Sequence, residues 1–193
     1  MTFYRTNLAL KADGPVIRDH SIVLVRRIVD CEFAICEFLN RISRPPAISR
    51  FFVFISWLGD GRVWYAIILT LPLVSGETGF VTSMSMVKVG VVNLVLYKII
   101  KSLTGRVRPC AVSESIILGT APLDQYSFPS GHTMHAVAFS MVVTTHNPEL
   151  AWVLAPFSCL VAISRVILGL HYPTDVLAGG AIGACIASTL PAS

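Results

Sequence analysis

Residues 164–175 read SRVILGLHYPTD, a stretch that combines a cation, Arg165, with a histidine, His171, and a carboxylate four residues further on, Asp175. A neutral imidazole held in one tautomer by a carboxylate is a nucleophile able to attack phosphorus. Upstream, PSGH at residues 129–132 sets Ser130 and the Gly131 N–H at the start of an apolar run. A helix that begins there offers free amides and a positive dipole end to an anion. His132 then stands at the mouth of that helix, placed to protonate a leaving oxygen. Further upstream, KSLTGRVRP at residues 101–109 adds Lys101 and Arg108. With Arg165 these make three cations, a number suited to the equatorial oxygens of a transferring phosphoryl group.

In order and spacing the three stretches read K-x6-R-P, P-S-G-H and S-R-x5-H-x3-D. Together they resemble the signature of the type 2 phosphatidic acid phosphatase (PAP2) superfamily, matched from Lys101 to Asp175 without a substitution. The resemblance implies an all-α fold in which the histidine matching His171 forms a phosphohistidine. It further implies that Asp175 supports that histidine, that His132 is the general acid, and that Lys101, Arg108, Ser130, Gly131 and Arg165 bind phosphate. It implies no metal and no other cofactor. A purely structural reading, an ion-pair network of Arg108, Arg165 and Asp175, leaves the arrival of Ser130, Gly131 and His132 beside them unexplained.

Composition selects the membrane branch over the soluble acid phosphatases and haloperoxidases of that superfamily. Of 193 residues, 54% are hydrophobic and only 13% charged, more apolar surface than a soluble domain of this size can bury. The first twenty residues carry Arg5, Lys11, Asp13, Arg18 and Asp19 with no apolar core region, so no secretory signal is expected and the hydrophobic segments are permanent structure. One domain over 1–193 is expected, with a polar and amphipathic region at 1–50 and a membrane core at 51–193.

The architecture expected is a polytopic helical bundle of about five to six membrane helices plus an amphipathic N-terminal helix. Candidate spans run from Val63 to Ser75, Phe80 to Ile100, His132 to His146, Ala151 to Leu168 and Val176 to Leu190. Several are shorter than the ~20 apolar residues of a full crossing, which places the polar motifs at the membrane surface. Lys88 and Lys98 in the second span are expected to snorkel or face the bundle. Ser21 to Leu39 reads as helix but carries Arg26, Arg27, Asp30, Glu32 and Glu37, and is expected to lie on the interface. Pro45 and Pro46 fix an extended turn, after which Phe51 to Leu58 forms a short apolar helix ended by Gly59-Asp60-Gly61. The first reading of Asp60 is a helix cap; the second puts Asp60 and Arg62 at the rim of the active site. Thr104 to Phe128, with Pro109, Pro122, Gly105 and Gly119, is expected to fold over the site as a lid, and a plain structural loop would read the same in sequence.

Charge counting leaves the orientation open. The opposite loops, Gly76 to Gly79 and Asn147 to Glu149, contain no Lys or Arg, which points the motifs at the cytoplasm if Ser21 to Leu39 does not cross and outward if it does. His135, one turn after His132, lacks the carboxylate or cysteine companions of a metal site and reads as a packed or cavity-facing residue. The five cysteines contain no CxxC pair and form no complete disulfide framework; Cys159 and Cys185 are expected as small apolar fillers in the bundle. A net charge of +4 without aromatic interleaving or a binding module argues for anionic lipid head groups over nucleic acid. The small residues Gly179, Gly180, Gly183 and Ala184 read as tight helix packing within the protomer rather than a dimer motif.

These readings converge on an integral membrane phosphatase of lipid phosphomonoesters or diphosphates, placed in a bacterial cytoplasmic membrane. Polyprenyl diphosphate, phosphatidic acid and phosphatidylglycerophosphate are the substrate classes. A phosphotransferase of the same fold is the nearest rival, since an alcohol can attack phosphohistidine as water does. A catalytically silent lipid-binding or transport component is the rival from another class.

Overall fold

The computed structural model describes residues 20–190, and among them the only regular elements are helices. The charged positions Arg5 to Asp19 lie outside the described residues. Helix α1 spans His20–Ile42 and α2 spans Pro46–Trp57. Pro45 is extended and Pro46 sits at the first helical position, where its missing N–H costs nothing. A π-turn, Leu58–Arg62, leads directly into the helical stretch Val63–Thr104. That stretch breaks at Gly76, whose φ of 56° and ψ of −128° suit glycine, and so divides into α3 (63–75) and α4 (77–104).

The two halves fold back on each other. A Cβ on Gly79 would stand 2.0 Å from the Leu71 carbonyl oxygen, and Ser83 Oγ donates to Ile68 O at 2.9 Å. At its far end α4 stops at Gly105, left-handed at φ 57°, whose N–H closes on Lys101 O. Short α5 (Pro109–Val112) opens the long connection to α6 (Gly131–His146); α7 is Ala151–Ile167 and α8 is Pro173–Thr189. Trp64, Met86, Val89, Met134, Phe139, Val143, Leu154, Val161 and Ile186 form the main core. Trp64 lies between Phe139 and Phe157 at ring distances of 5.5 and 5.6 Å.

Outward, large apolar side chains stay uncovered: Leu73, Val74 and Trp152 are more than four-fifths exposed. Leaving each in water forgoes roughly 1.5–3 kcal/mol of burial, so this outer face belongs in hydrocarbon. Segments Pro46–Val112 and Pro148–Ile167 contain stretches long and apolar enough to cross a bilayer. Cys159 and Cys185 also face outward, contrary to their expected place inside the bundle. They sit on the lipid-facing sides of α7 and α8, where a small polarizable thiol is as acceptable as an alanine.

Gly179 and Gly183 do pack within the protomer. A Cβ on each would meet Ser130 O at 2.5 Å and Met134 O at 2.3 Å, so α8 lies directly on the backbone of α6. Helix α1 buries an unexpected face. Glu32, Cys36 and Asn40 point inward at successive turns, while Ile28, Val29, Ile35 and Phe38 are exposed. Asn40 satisfies its amide on Ile117 O, Ile117 N and Ile167 O, and Glu32 accepts from Thr174 N. These contacts reach the last turn of α7 and the first turn of α8. Eight helical residues cover about 12 Å, close to the 8–10 Å between neighbouring helices, so α1 lies across the motif-bearing end of the bundle.

Candidate active site

The last turn of α4 with the residues that follow it, the first turn of α6, and the end of α7 with the α7–α8 loop converge at that end, and between them they deliver the three motifs. They surround a cavity of about 450 Å³ whose polar wall holds Lys101, Arg108, Gly131, His132, Arg165 and His171. Six of the eight residues singled out in the sequence therefore line a common space. The other two stand behind it. Ser130 is buried with its hydroxyl 2.9 Å from Thr133 Oγ1, and its N–H donates to Asp175 O at 3.0 Å. Asp175, fully buried, lies on the far side of His171.

His171 presents two different nitrogens. Nδ1 is 3.7 Å from Asp175 Oδ2, while Nε2 is 3.3 Å from Arg108 Nη1. Burial, then the cations Arg165, Arg108 and Lys101, hold this imidazole well below its ordinary value, so it is neutral at physiological pH. Asp175 is fixed in turn: Oδ2 accepts the Tyr172 N–H at 2.8 Å and Oδ1 accepts from Arg106 Nη1 at 2.6 Å. Arg106 also pairs with Glu32 of α1 at 2.7 Å and stacks over the Tyr172 ring at 4.0 Å. A chain of charges thus runs from α1 through Arg106 to the carboxylate behind His171.

Two of the cations have an acidic partner within the protein. Lys101 Nζ contacts both Asp124 oxygens at 2.6 and 2.7 Å, and Arg108 Nη2 contacts Oδ1 at 2.7 Å. Burial pushes the Asp124 carboxyl up, but Lys101 and Arg108 outweigh it and hold the group below the usual carboxylate range. Asp124 comes from the connection between α4 and α6, which does lie over the site: Leu123 and Asp124 both line the cavity. Arg165 donates through Nη1 to Ser56 Oγ of α2, and its buried Nε has no hydrogen-bond partner among the described residues.

Asp60 does not cap a helix. Neither the π-turn nor α3 has a side-chain cap; instead Asp60 Oδ1 lies 3.3 Å from His132 Nε2 and Oδ2 lies 3.6 Å from Arg62 Nη1. Asp60 thus lines the cavity, as the rim reading expects, whereas Arg62 is not one of the residues that line it. His135 both packs and faces the cavity, with Nδ1 2.8 Å from Gly131 O and its ring edge-on to Phe139. Glu32, Ser56, Arg106 and Asp124 were not singled out from the sequence. Opposite the cations the cavity turns apolar, walled by Trp64, Ile68, Met86, Val91, Leu94 and Phe139.

Comparison with known proteins agrees with this arrangement. The family model of the PAP2 superfamily matches residues 78–192. This chain belongs to the PAP2 superfamily. It is 30% identical over 150 residues to an undecaprenyl-diphosphatase of Sulfolobus acidocaldarius, covering 77% of this chain and 71% of that protein. Other curated PAP2 relatives are matched over less than half of their own length. Among solved structures, Aquifex aeolicus LpxE superposes with a TM-score of 0.71 at 25% identity, over 81% of this chain and 92% of that one. A transmembrane PAP2-type phosphatidylglycerolphosphate phosphatase from Bacillus subtilis gives 0.66 at 26% identity, over 85% and 84%. The all-α PAP2 fold and its membrane setting are therefore shared.

Proposed function

We propose that this PAP2 protein is a membrane lipid phosphatase that hydrolyses a phosphomonoester or diphosphate through a phosphohistidine on His171. The observation that carries the reading is the two-ended cavity: two histidines and three cations at one end, apolar walls at the other. An isolated inorganic phosphate needs no apolar wall, and a neutral lipid needs no cluster of buried cations. Among the substrate classes, a polyprenyl diphosphate is favoured by the relative matched over most of its length.

In this mechanism His171 Nε2, neutral and facing the cavity, attacks phosphorus while Nδ1–H is directed at Asp175. The P–N bond forms as the P–O bond to the lipid breaks, and His132 gives its proton to the departing oxygen. Lys101, Arg108, Arg165 and the Gly131 N–H at the α6 N-terminus stabilise the negative charge on the equatorial oxygens. His132, now neutral, takes a proton from water, whose oxygen attacks phosphorus; the P–N bond breaks and phosphate leaves. The apolar wall holds the first part of the lipid chain.

The direct test is phosphate release by the detergent-purified protein, with EDTA present, from phosphatidic acid, phosphatidylglycerophosphate and undecaprenyl diphosphate. Release from at least one is expected; silence on all three overturns the reading.

Asp124 bears on substrate entry. Its carboxylate engages two of the phosphate-binding cations, so an arriving phosphate has to displace it. Asp124→Asn is expected to tighten inhibition by vanadate roughly tenfold, equivalent to about 1.4 kcal/mol. Weaker inhibition in the variant would mean instead that Asp124 holds Lys101 and Arg108 in place.

A further inference from the structure

We propose that Asp60 is a positioning residue for the general acid His132, and that the π-turn Leu58–Arg62 is a built part of the active site. The inference rests on the phosphatase reading above and adds a residue to it. The matched family region begins at residue 78, well after this turn.

Local backbone brings the carboxylate to the cavity. Asp60 and Gly61 depart from helical geometry, with Gly61 at φ 107°, a conformation that L side chains rarely adopt. The turn continues both neighbouring helices yet directs Asp60 into the cavity that His132 lines. Gly59 packs against Val161 of α7, where an added Cβ would approach Val161 Cγ2 at 2.8 Å, so the turn is seated on the helix that carries Arg165. Two residues earlier in the chain than Leu58, Ser56 accepts the Arg165 Nη1 hydrogen bond. The same segment therefore touches both the acid and one phosphate-binding cation.

The charged groups around His132 explain the need. From α7 it faces buried Arg165, from the α7–α8 loop His171, and along its own helix His135; Asp60 is its acidic neighbour, itself tied to Arg62. Arg62 is anchored in turn on Trp57, donating to its carbonyl at 3.1 Å and lying 4.2 Å over its ring. A histidine that must carry a proton beside Arg165 requires a counter-charge and a fixed ring orientation. Asp60 supplies both. In each cycle the carboxylate stays ionised while the proton passes from His132 to the leaving oxygen and returns to His132 from water.

The test compares wild type, Asp60→Asn and Asp60→Glu on a lipid phosphate and on p-nitrophenyl phosphate, whose weakly basic leaving group departs without a proton. Asp60→Asn is expected to lower kcat on the lipid about 10- to 100-fold, with KM within about twofold. Its alkaline kcat limb should move to lower pH, because an imidazolium without its counter-charge gives up its proton sooner. On p-nitrophenyl phosphate the loss in the phosphorylating step, read as the initial burst of p-nitrophenol, should be about threefold or less, and Asp60→Glu should recover part of the lipid rate. Equal losses on both substrates with an unmoved pH limb, or a lipid rate within twofold of wild type, would overturn the proposal. A wild type inert on both overturns the phosphatase reading and this one with it.

Discussion

Replacing His171 by alanine removes turnover of the lipid phosphate by about 10⁴-fold or more, the scale on which loss of a covalent nucleophile is felt. The residue offers the only histidine nitrogen among the described residues that faces Arg108, at 3.3 Å, and the only one backed by a carboxylate four residues on. The rest of the site should survive its loss. Arg108 keeps Leu170 O at 2.7 Å and Asp124 at 2.7 Å, so the cations stay in place. The variant should therefore still bind vanadate while releasing no phosphate. Brief exposure to a ³²P-labelled substrate followed by denaturation should label wild type with acid-labile phosphate and leave the variant unlabelled. His132→Ala slows both half-reactions, the first for want of an acid at the leaving oxygen and the second for want of a base at water, so label should enter this variant slowly and, once there, leave slowly. Retention of wild-type rate by His171→Ala would remove the phosphohistidine mechanism.

The motif residues were legible in the sequence for a physical reason. Each had to sit at a helix end, and helix ends at a membrane surface interrupt apolar runs with polar residues at readable positions. Even so, the chemistry-bearing stretches revealed the cations and not their partners. Asp124 lies in a long connection without periodicity, and Asp60 between two glycines; neither spacing indicates what its carboxylate faces. A stricter use of one rule pointed to one of them: buried cations need counter-charges, and Asp124 is a carboxylate between the stretches that carry Arg108 and His132, whereas Asp60 is far from every motif in sequence. Helix α1 was misjudged in its facing. Its charged residues, Glu32 among them, were read as the polar face of an interfacial helix, whereas Glu32 and the neighbouring Asn40 are buried and bonded to α8, α7 and the lid. In a bilayer, amphipathicity inverts, since an exposed apolar face is at home in lipid and polar groups are satisfied inside the protein. The same inversion put Cys159 and Cys185 outside.

Gly179→Ala is expected to cost about 100-fold in kcat/KM, whereas Gly180→Ala, one residue away with the same added methyl, should stay within about twofold of wild type. The difference is steric and local. A Cβ on Gly179 would stand 2.5 Å from the Ser130 carbonyl oxygen and 3.4 Å from its nitrogen, both rigid backbone atoms. On Gly180 it would meet only Val137 Cγ2 at 3.7 Å and Thr133 Cγ2 at 3.9 Å, ordinary contacts. To admit the first methyl, α8 and the start of α6 must separate by several tenths of an ångström or more. That shift opens the hydrogen bond from Ser130 N to Asp175 O, the link between the strip carrying Gly131 and His132 and the helix carrying Asp175. Misplacing catalytic groups by about 1 Å can cost two orders of magnitude even when no reacting atom is changed. Both variants should be assayed for phosphate release and for thermal unfolding in detergent. A Gly179→Ala protein with unimpaired kcat/KM would show that the α6–α8 contact does not set the relative placement of His132 and His171. Loss of activity at an unaltered melting temperature would show that this glycine serves the geometry of the site more than the stability of the bundle.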